Sequence, residues 1–322
     1  MSGPDHAAAV RHAGWALLRP PNLLTVPGDP LAGFLLASAA GFSTAALESG
    51  CAPWGVVIPA WARAGVAAAS ALLIYAHGLI GNDLFDQAED RRDRPDRPIP
   101  SGAIRPRTVI ILCLLTAAAG IALAGFNGWV GMGTVALLTA TVLLYNGVMK
   151  RFRILGPLFM GACRALSLLT GAVAAGWRGE LSAPVIASAG LLGFYVAAVT
   201  AIAQGETRAM ELGVRRWLPA LVLAAGFGAV GWAARRAGIE TWPLAFALGA
   251  PMALWAGLAG HRLAGRPAPG RVQAAVGRWL RDLLFMQVCL AGIGWGGLAV
   301  PGAVGLALWA LQIRLARRFY CT

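Results

Sequence analysis

Apolar segments long enough to cross a lipid bilayer recur along the whole sequence, and no other feature limits the fold as strongly. An α-helix needs about 17 to 25 mostly apolar residues to span the hydrocarbon core, and it satisfies its own backbone hydrogen bonds there. The 322 residues are 58% hydrophobic and 13% charged, and a mean hydropathy of +0.65 is not that of a soluble domain. We therefore predict an all-α, polytopic membrane helix bundle that forms a single domain over residues 1–322.

The apolar pattern predicts eight spans before residue 261 and leaves the number after it open. The predicted spans are 23–42, 64–82, 108–125, 129–148, 154–176, 183–203, 218–234 and 242–260. Residues 283–316 are apolar but broken at Pro301, so they form either one span with a short tail or two spans. The total is about nine helices, or ten, in two four-helix halves around a central cavity. Residues 1–22 are predicted to be a cytoplasmic N-terminal segment.

Acidic residues are concentrated in one stretch, which follows the second predicted span. Five of the eight Asp in the sequence lie there: Asp83, Asp86, Asp90, Asp93 and Asp96. If the apolar helix continues, Asn82, Asp86 and Asp90 lie on one face at i, i+4 and i+8. Like charges this close repel each other, so we expect a positive group among them. Oxygen ligands in this number suit Mg²⁺ better than Zn²⁺, and Mg²⁺ usually bridges carboxylates to substrate phosphates.

A simpler interpretation of the acidic stretch stays open at this point. The acids would belong to a solvated cytoplasmic loop and would pair with the basic residues beside them, which are Arg91, Arg92, Arg94 and Arg97. The helical spacing of the acids at the end of an apolar span favours the cation site, because acid runs in loops have no such register.

Basic residues lie in short runs between the apolar spans, so the formal charge of +13 does not indicate a nucleic-acid partner. Most of them fall in the N-terminal segment, in the acidic loop, and in the segments 149–153, 204–217 and 261–281. By the positive-inside rule this side of the bundle faces the cytoplasm. We predict a multi-pass protein of the inner (plasma) membrane. The second half of 261–281 is also compatible with an interfacial amphipathic helix.

The order of residues in the acidic stretch carries a resemblance. The pattern Asn82-Asp83-x-x-Asp86-x-x-x-Asp90, followed by Arg97-Pro98-Ile99-Pro100-Ser101-Gly102, resembles the first aspartate-rich motif of the UbiA family of membrane prenyltransferases. The resemblance implies about nine transmembrane helices, Mg²⁺ bound through these acids, and an isoprenoid diphosphate as donor. The Arg19-Pro20-x-Asn22 pattern also resembles the first helix of the family, where the Asn lies near the diphosphate.

The second aspartate-rich motif of the family is altered in this chain. Its place is taken by residues 204–211, which contain Glu206 and Glu211 but no Asp. Glu206 is predicted to replace one carboxylate as a metal ligand. The Gly-Glu pair here, together with the run Met-Gly-Ala-Cys-Arg at 160–164, is similar to the EboC-like branch of the family.

Charged residues elsewhere leave alternatives open. Asp29 and Arg164 lie inside predicted spans, where a charge is costly and faces the bundle interior. Asp29 belongs to a functional pocket or caps a helix, while Arg164 either pairs with an acid such as Asp29 or binds the diphosphate. Lys150 follows Tyr145 by five residues and marks either a basic membrane edge or a phosphate contact.

Together with these residues, the resemblance implies a Mg²⁺-dependent prenyltransferase that moves an isoprenoid group, within membrane lipid, to an unidentified acceptor. The predicted metal ligands are Asn82, Asp86, Asp90 and Glu206. The predicted catalytic residues are Asp86, Asp90, Lys150 and Arg164, and the diphosphate site adds Asn22, Asn82, Asp83, Arg97, Tyr145 and Glu206. Two alternatives are transfer of a sugar or cyclitol phosphate to a polyprenyl phosphate, and transport of a lipid-linked or small metabolite.

Overall fold

The structure is a computed structural model that describes residues 23–41, 55–56, 58–176, 181–204 and 211–319. Within these ranges the regular secondary structure is helical and contains no strand, which confirms the predicted all-α class. Ten α-helices of twelve residues or more, and one of seven residues, make up the described part of the bundle. The predicted N-terminal segment 1–22 lies outside the described residues.

The described helices follow the predicted spans closely. In chain order they are α1 Gly28–Ala39, α2 Ala60–Phe85, α3 Gln87–Asp93, α4 Pro106–Ala124, α5 Gly128–Gly147, α6 Leu155–Ala174, α7 Ala183–Ala203, α8 Leu218–Arg236, α9 Pro243–His261, α10 Pro269–Trp295 and α11 Ala299–Phe319. Each of the eight spans predicted before residue 261 corresponds to one of these helices.

Six stretches of described helix are long and apolar enough to cross a membrane, and one of them, Pro106–Gly147, contains both α4 and α5. Helix α1 differs from these because it has only twelve residues. At 1.5 Å per residue it is about 18 Å long, which is less than the thickness of a hydrocarbon core. The described helix is therefore shorter than the membrane span that the sequence predicted over 23–42.

The C-terminal apolar region folds into two helices, and the predicted break at Pro301 was wrong. Helix α10 ends at Trp295, and the next residue, Gly296, has a left-handed backbone with φ of 83°, which favours glycine. Pro301 lies in the first turn of α11, where backbone N–H groups have no helical partner. The amphipathic residues after Pro269 are continuous with α10 and do not form a separate interfacial helix.

Contacts between loops identify the segments that share one end of the bundle. The Gln204 side chain, at the end of α7, donates to the carbonyl of Phe152, just before α6, at 3.4 Å. Arg266, after α9, pairs with Glu211, after α7, at 3.0 Å. Lys150, after α5, reaches the acidic stretch after α2. We call this the motif end; it contains the loops that the sequence grouped together.

Helices α1 and α6 are in backbone contact through two glycines. A Cβ atom on Gly171 would lie 1.7 Å from the carbonyl oxygen of Pro30, and one on Gly33 would lie 2.0 Å from that of Leu168. Small residues permit such close approach between helices in membranes. The contact holds α1 against the C-terminal half of α6, one to two turns beyond Arg164.

Candidate active site

The acidic stretch keeps its helical register across the junction between α2 and α3. The backbone N–H of Asp86 donates to Asn82 O, and that of Asp90 donates to Asp86 O, both at 2.9 Å. The i, i+4, i+8 spacing of these three residues therefore survives the interruption at Asp86, as the sequence predicted. Their side chains can act as one group at the end of α2.

A positive group does lie among the acids, and it is Lys150. Its ammonium group forms an ion pair with the Asp86 carboxylate and donates to the Asn82 side-chain oxygen at 3.2 Å. Lys150 lies in the short 3-10 turn Met149–Arg151 that follows α5. It is also the single lysine in the sequence, beside 26 arginines. A basic membrane edge alone would not direct this ammonium at two residues of the acidic stretch.

A second cation, Arg97, joins two further acids of the stretch, Asp83 and Asp90. Its guanidinium lies 2.7 Å from Asp90 Oδ2 and 3.4 Å from Asp83 Oδ1. Part of the simpler interpretation therefore holds, since one neighbouring arginine pairs with the acids. We call the six residues Asn82, Asp83, Asp86, Asp90, Arg97 and Lys150 the mouth cluster.

The mouth cluster lies at one end of a largely apolar cavity of about 280 Å³. Its described lining comes from the segment before α1 and from α2, α5 and α6: Val26, Ala71, Ile74, Tyr75, Gly78, Leu79, Asn82, Leu138, Val142, Tyr145, Asn146, Met160, Cys163, Arg164 and Ser167. Along α2 the lining runs from Asn82 to Ala71, which is about 16 Å at 1.5 Å per residue. The cavity is therefore a slot parallel to the helices with its polar end at the acidic stretch.

A buried ion pair lies in the wall of the cavity. Arg164 Nε is 3.1 Å from Asp29 Oδ2, and the exposed fractions of the two side chains are 8% and 0%. The Gln287 side chain donates to Asp29 Oδ1 at 2.5 Å and to Thr25 O at 2.6 Å. Arg164 also donates to Thr25 O at 3.2 Å. Of the two alternatives for Arg164, pairing with Asp29 is the arrangement that the structure contains. We call Asp29 and Arg164 the buried pair.

The structure locates most of the predicted site residues. Asn82, Tyr145 and Arg164 line the cavity, whereas Asp86, Asp90, Arg97 and Lys150 belong to the cluster at its mouth. Asn22 and Glu206 lie outside the described residues, so their predicted roles stay predictions.

Three polar residues of this region were not found from the sequence. Tyr75 and Asn146 line the cavity, and Asn146 donates to Gly78 O at 2.8 Å. Asn146 lies four residues before Lys150, so a polar side chain in helical register with that lysine was an available signal. Gln287, on α10, gave no signal, because its partner Asp29 is 258 residues away.

The donor set of the mouth cluster fits Mg²⁺. Among the residues that the structure describes, no three His, Cys, Asp or Glu side chains converge on one point. Mg²⁺ does not require three, because it keeps waters and binds through one or two carboxylates together with substrate phosphates. Asp86 and Asn82 both direct an oxygen at the ammonium group of Lys150. Asp83 and Asp90 both direct an oxygen at the guanidinium group of Arg97. Each pair therefore already converges on a positive centre.

Sequence comparison decides the family. The model of the UbiA prenyltransferase family matches residues 31–211, which is more than half of the chain. The chain belongs to the UbiA prenyltransferase family. The matched range contains the whole mouth cluster and Arg164, while Asp29 lies just before it.

Curated relatives of this UbiA-family chain include two digeranylgeranylglyceryl phosphate synthases. The Metallosphaera sedula protein is 36% identical over 118 residues, which are 35% of this chain and 41% of the relative. The Methanoregula boonei protein is 32% identical over 155 residues, which are 45% of this chain and 55% of the relative. The matched part thus spans less than two thirds of either relative. The predicted likeness to the EboC-like branch stays a prediction.

Solved structures of the family share the fold over nearly the whole chain. One, from work on digeranylgeranylglyceryl phosphate synthase in membranes, has a TM-score of 0.60 at 16% identity and covers 90% of this chain and 99% of its own. Another is a UbiA homologue from Archaeoglobus fulgidus bound to DMAPP and Mg²⁺, with a TM-score of 0.54 at 15% identity, covering 89% and 99%. At such identities the likeness establishes the fold alone.

Proposed function

We propose that this UbiA-family protein is a Mg²⁺-dependent intramembrane prenyltransferase that takes its prenyl group from an isoprenoid diphosphate. The observation that carries the proposal is the position of the mouth cluster at the polar end of an apolar slot. Such a site separates the two parts of a prenyl diphosphate, because the charged part meets ions and the hydrocarbon meets apolar walls. A relative of the same fold is bound to DMAPP and Mg²⁺, which supports this assignment.

The mouth cluster supplies the groups that the diphosphate requires. Asn82, Asp83, Asp86 and Asp90 would hold Mg²⁺, which supplies positive charge for the leaving diphosphate when bound. Lys150 contributes a compact ammonium charge, and Arg97 contributes a planar guanidinium that suits phosphate oxygens. Both cations now contact carboxylates, and we expect them to exchange part of these contacts for phosphate oxygens when the donor binds.

The proposed reaction replaces one bond to the prenyl C1 atom with another. The C1–O bond breaks, and its electron pair leaves with the diphosphate. A nucleophilic atom of the acceptor then forms a bond to C1 and releases its proton to solvent at the mouth. The cations of the mouth cluster stabilise the departing diphosphate as its negative charge develops, which is the largest contribution that a fixed site makes.

Aromatic faces in the slot are suited to the allylic cation that forms at C1. Tyr75 and Tyr145 both line the cavity, and an aromatic face attracts a cation within about 6 Å of its centre. Phe85, at the end of α2, is 47% exposed and does not line the cavity. We therefore assign the role to the two tyrosines.

Orientation follows from the charge of the loops. Because the basic segments lie at the motif end, we place that end in the cytoplasm and the bundle in the inner (plasma) membrane. Soluble prenyl diphosphates and Mg²⁺ are then available at the mouth, and apolar acceptors are available from the bilayer.

Diphosphate release by the purified full chain in liposomes tests the activity. Mg²⁺ and DMAPP or GPP are supplied with a lipid extract as a pool of acceptors, and mass spectrometry identifies the new lipid. The relatives are named for a product that carries two geranylgeranyl groups on a glyceryl phosphate. A prenylated glyceryl phosphate is therefore the first defined acceptor to offer. We expect release that requires Mg²⁺ and is lost in Asp86→Ala.

Asp93→Asn is the matched control, because Asp93 is an exposed acid of the same stretch at the end of α3. Equal loss in Asp93→Asn, or unchanged turnover in Asp86→Ala, contradicts the assignment. Diphosphate release that requires a sugar phosphate carrying the diphosphate together with a polyprenyl phosphate, and that yields a sugar-phosphate lipid, would instead identify the transferase alternative.

The single lysine allows binding to be measured separately from turnover. An amine-reactive reagent modifies Lys150 and the N-terminal amine, and peptide mass spectrometry separates the two sites. We expect Mg²⁺ with inorganic diphosphate to slow the modification of Lys150 severalfold and to leave the N-terminal amine unchanged. Equal modification of Lys150 with and without the ligand would place the diphosphate elsewhere.

A further inference from the structure

A second charged cavity lies at the motif end, between the end of α9 and the beginning of α10. It has a volume of about 430 Å³ and is lined by Ala259, Arg262, Leu263, Arg271, Ala274, Ala275 and Arg278. Three of these seven residues are arginines and none is acidic. We call this cavity the arginine cleft, and none of its residues belongs to the proposed active site.

The cleft results from side-chain size along one face of α10. Arg271 and Arg278 are seven residues apart, so they lie on the same face about two turns from each other. Ala274 and Ala275 lie between them, and their short side chains leave the space that the cavity occupies. Arg262, directly after α9, adds the third arginine to the lining of the cavity.

The floor of the cleft is rigid. Leu263, Val272 and Ala275 are at most 4% exposed, and Trp279 is fully buried in the main core. The backbones that carry the three arginines are therefore fixed, while Arg262 and Arg271 themselves are exposed.

The arginines of the cleft differ from a neighbouring arginine in their partners. Arg266, in the same loop, is paired with Glu211 at 3.0 Å. Within the described ranges, no ion pair is formed by Arg262, Arg271 or Arg278. Among the residues that the structure describes, the cleft therefore holds three like charges without a neutralising group, which is the composition of an anion site.

An exposed apolar row leads away from the cleft along α9. Leu258 lies four residues before Arg262 and is 48% exposed, and Leu254 and Trp255, one turn further, are 66% and 56% exposed. These side chains share a face with Arg262. A ligand with a phosphate and an acyl chain would contact both the guanidinium groups and the apolar row. A free phosphate would contact only the guanidinium groups.

We propose that the arginine cleft binds the phosphate of an anionic phospholipid headgroup, with an acyl chain along Leu258 and Leu254. Basic pockets between transmembrane helices at the cytoplasmic surface bind anionic headgroups in this way. The site is independent of prenyl transfer, and its occupant anchors the α9–α10 turn to the lipid surface beside the active-site mouth.

The test is the binding of phosphatidylglycerol to the full chain in phosphatidylcholine nanodiscs, measured by native mass spectrometry and by the shift in melting temperature. We expect saturable binding to the wild-type protein. The triple change Arg262→Gln, Arg271→Gln and Arg278→Gln should weaken binding about 100-fold, because each arginine contributes separately near an anionic surface. The triple change to lysine should retain most of the binding, since it keeps the charge.

The matched control removes the same charge from the surface outside the cleft, through Arg105→Gln, Arg107→Gln and Arg314→Gln, which are all exposed. We expect this control to bind phosphatidylglycerol as the wild-type protein does. Equal weakening in the control, or full binding in the cleft variant, overturns the proposal. Inorganic phosphate that binds in pure phosphatidylcholine and displaces phosphatidylglycerol would also overturn it, because the occupant would then be a soluble anion.

Discussion

The mouth cluster and the buried pair both join acidic to basic side chains, but the Lys150–Asp86 pair at the mouth and the buried pair differ in burial. At the mouth, Lys150 and Asp86 have 18% and 23% of their side chains exposed. In the cavity wall, Arg164 and Asp29 have 8% and 0% exposed. The Lys150–Asp86 pair is in reach of water and of charged ligands. Arg97 is also partly exposed, at 22%, although its partners Asp83 and Asp90 are only 7% and 6% exposed. In the buried pair neither side chain is open to water, because both lie among apolar helices.

This difference predicts different consequences for stability and function. Partly exposed ion pairs contribute about 0 to 1 kcal/mol, since water solvates their partners well when the pair separates. A buried charge that loses its partner costs several kcal/mol, because neither water nor another charge compensates it. We infer that the buried pair serves the assembly of α1, α6 and α10, and that the mouth cluster is free to exchange its contacts for ligand.

The largest effect is expected from Arg164→Ala. It leaves Asp29 buried without its cation and should lower the free energy of unfolding by about 3 to 5 kcal/mol. Unfolding in mixed detergent micelles measures this. The double change Arg164→Met with Asp29→Leu should recover most of the loss, because no buried charge remains. A loss below about 1 kcal/mol in the single variant would contradict the comparison.

A large effect on turnover, with little on stability, is expected from Lys150→Gln. Removal of this charge from the departing diphosphate should lower turnover about 100-fold, while the free energy of unfolding changes by about 1 kcal/mol or less. Steady-state diphosphate release and micelle unfolding measure the two quantities. Arg151→Gln, in the same turn and exposed, is the control. If Arg151→Gln lowers turnover equally, the effect comes from the overall charge of the turn and not from Lys150 itself.

A smaller effect on stability is expected from Gln287→Leu. Asp29 Oδ1 and Thr25 O would each lose a donor in the bundle interior, at a cost of about 1 to 3 kcal/mol. The unfolding measurement used for Arg164 applies here. Gln273→Leu, at an exposed position of the same helix, should change stability little. Equal stability of both variants would show that Gln287 does not support the buried pair.

The smallest effect is expected from Arg97→Gln, and it should depend on salt. Arg97 is 22% exposed, while its partners Asp83 and Asp90 are 7% and 6% exposed. Water reaches the guanidinium side of these pairs and glutamine still donates a hydrogen bond, so the loss of the charge should cost about 1 kcal/mol at low ionic strength and less in 1 M salt, where the Debye length is about 3 Å. The cost of Arg164→Ala should not change with salt, because both Arg164 and Asp29 are buried. Equal salt dependence of the two variants would contradict the distinction between the mouth cluster and the buried pair.

Prediction from the sequence succeeded where the information is local. The positions of the helices before residue 261 and the i, i+4, i+8 register of Asn82, Asp86 and Asp90 depend on hydrophobicity and helical spacing alone, and the structure contains both, although α1 is shorter than the span predicted over 23–42. The need for a cation among the acids followed from repulsion. The break at Pro301 was predicted wrongly, because a proline is compatible with the first turn of a helix and the chain turns at Gly296 instead.

The remainder depends on contacts between distant segments. The sequence left Arg164 between an ion pair and a ligand contact, and only the tertiary structure brought it to Asp29, 135 residues earlier, through the glycine contact of α1 with α6. Likewise, Lys150 meets Asp86 across 64 residues. The sequence by itself determined the helical membrane class, the family and the acidic register, because each depends on residues that are close together in the chain. The tertiary structure decided which charges are paired, buried or open, because that depends on how closely the helices pack.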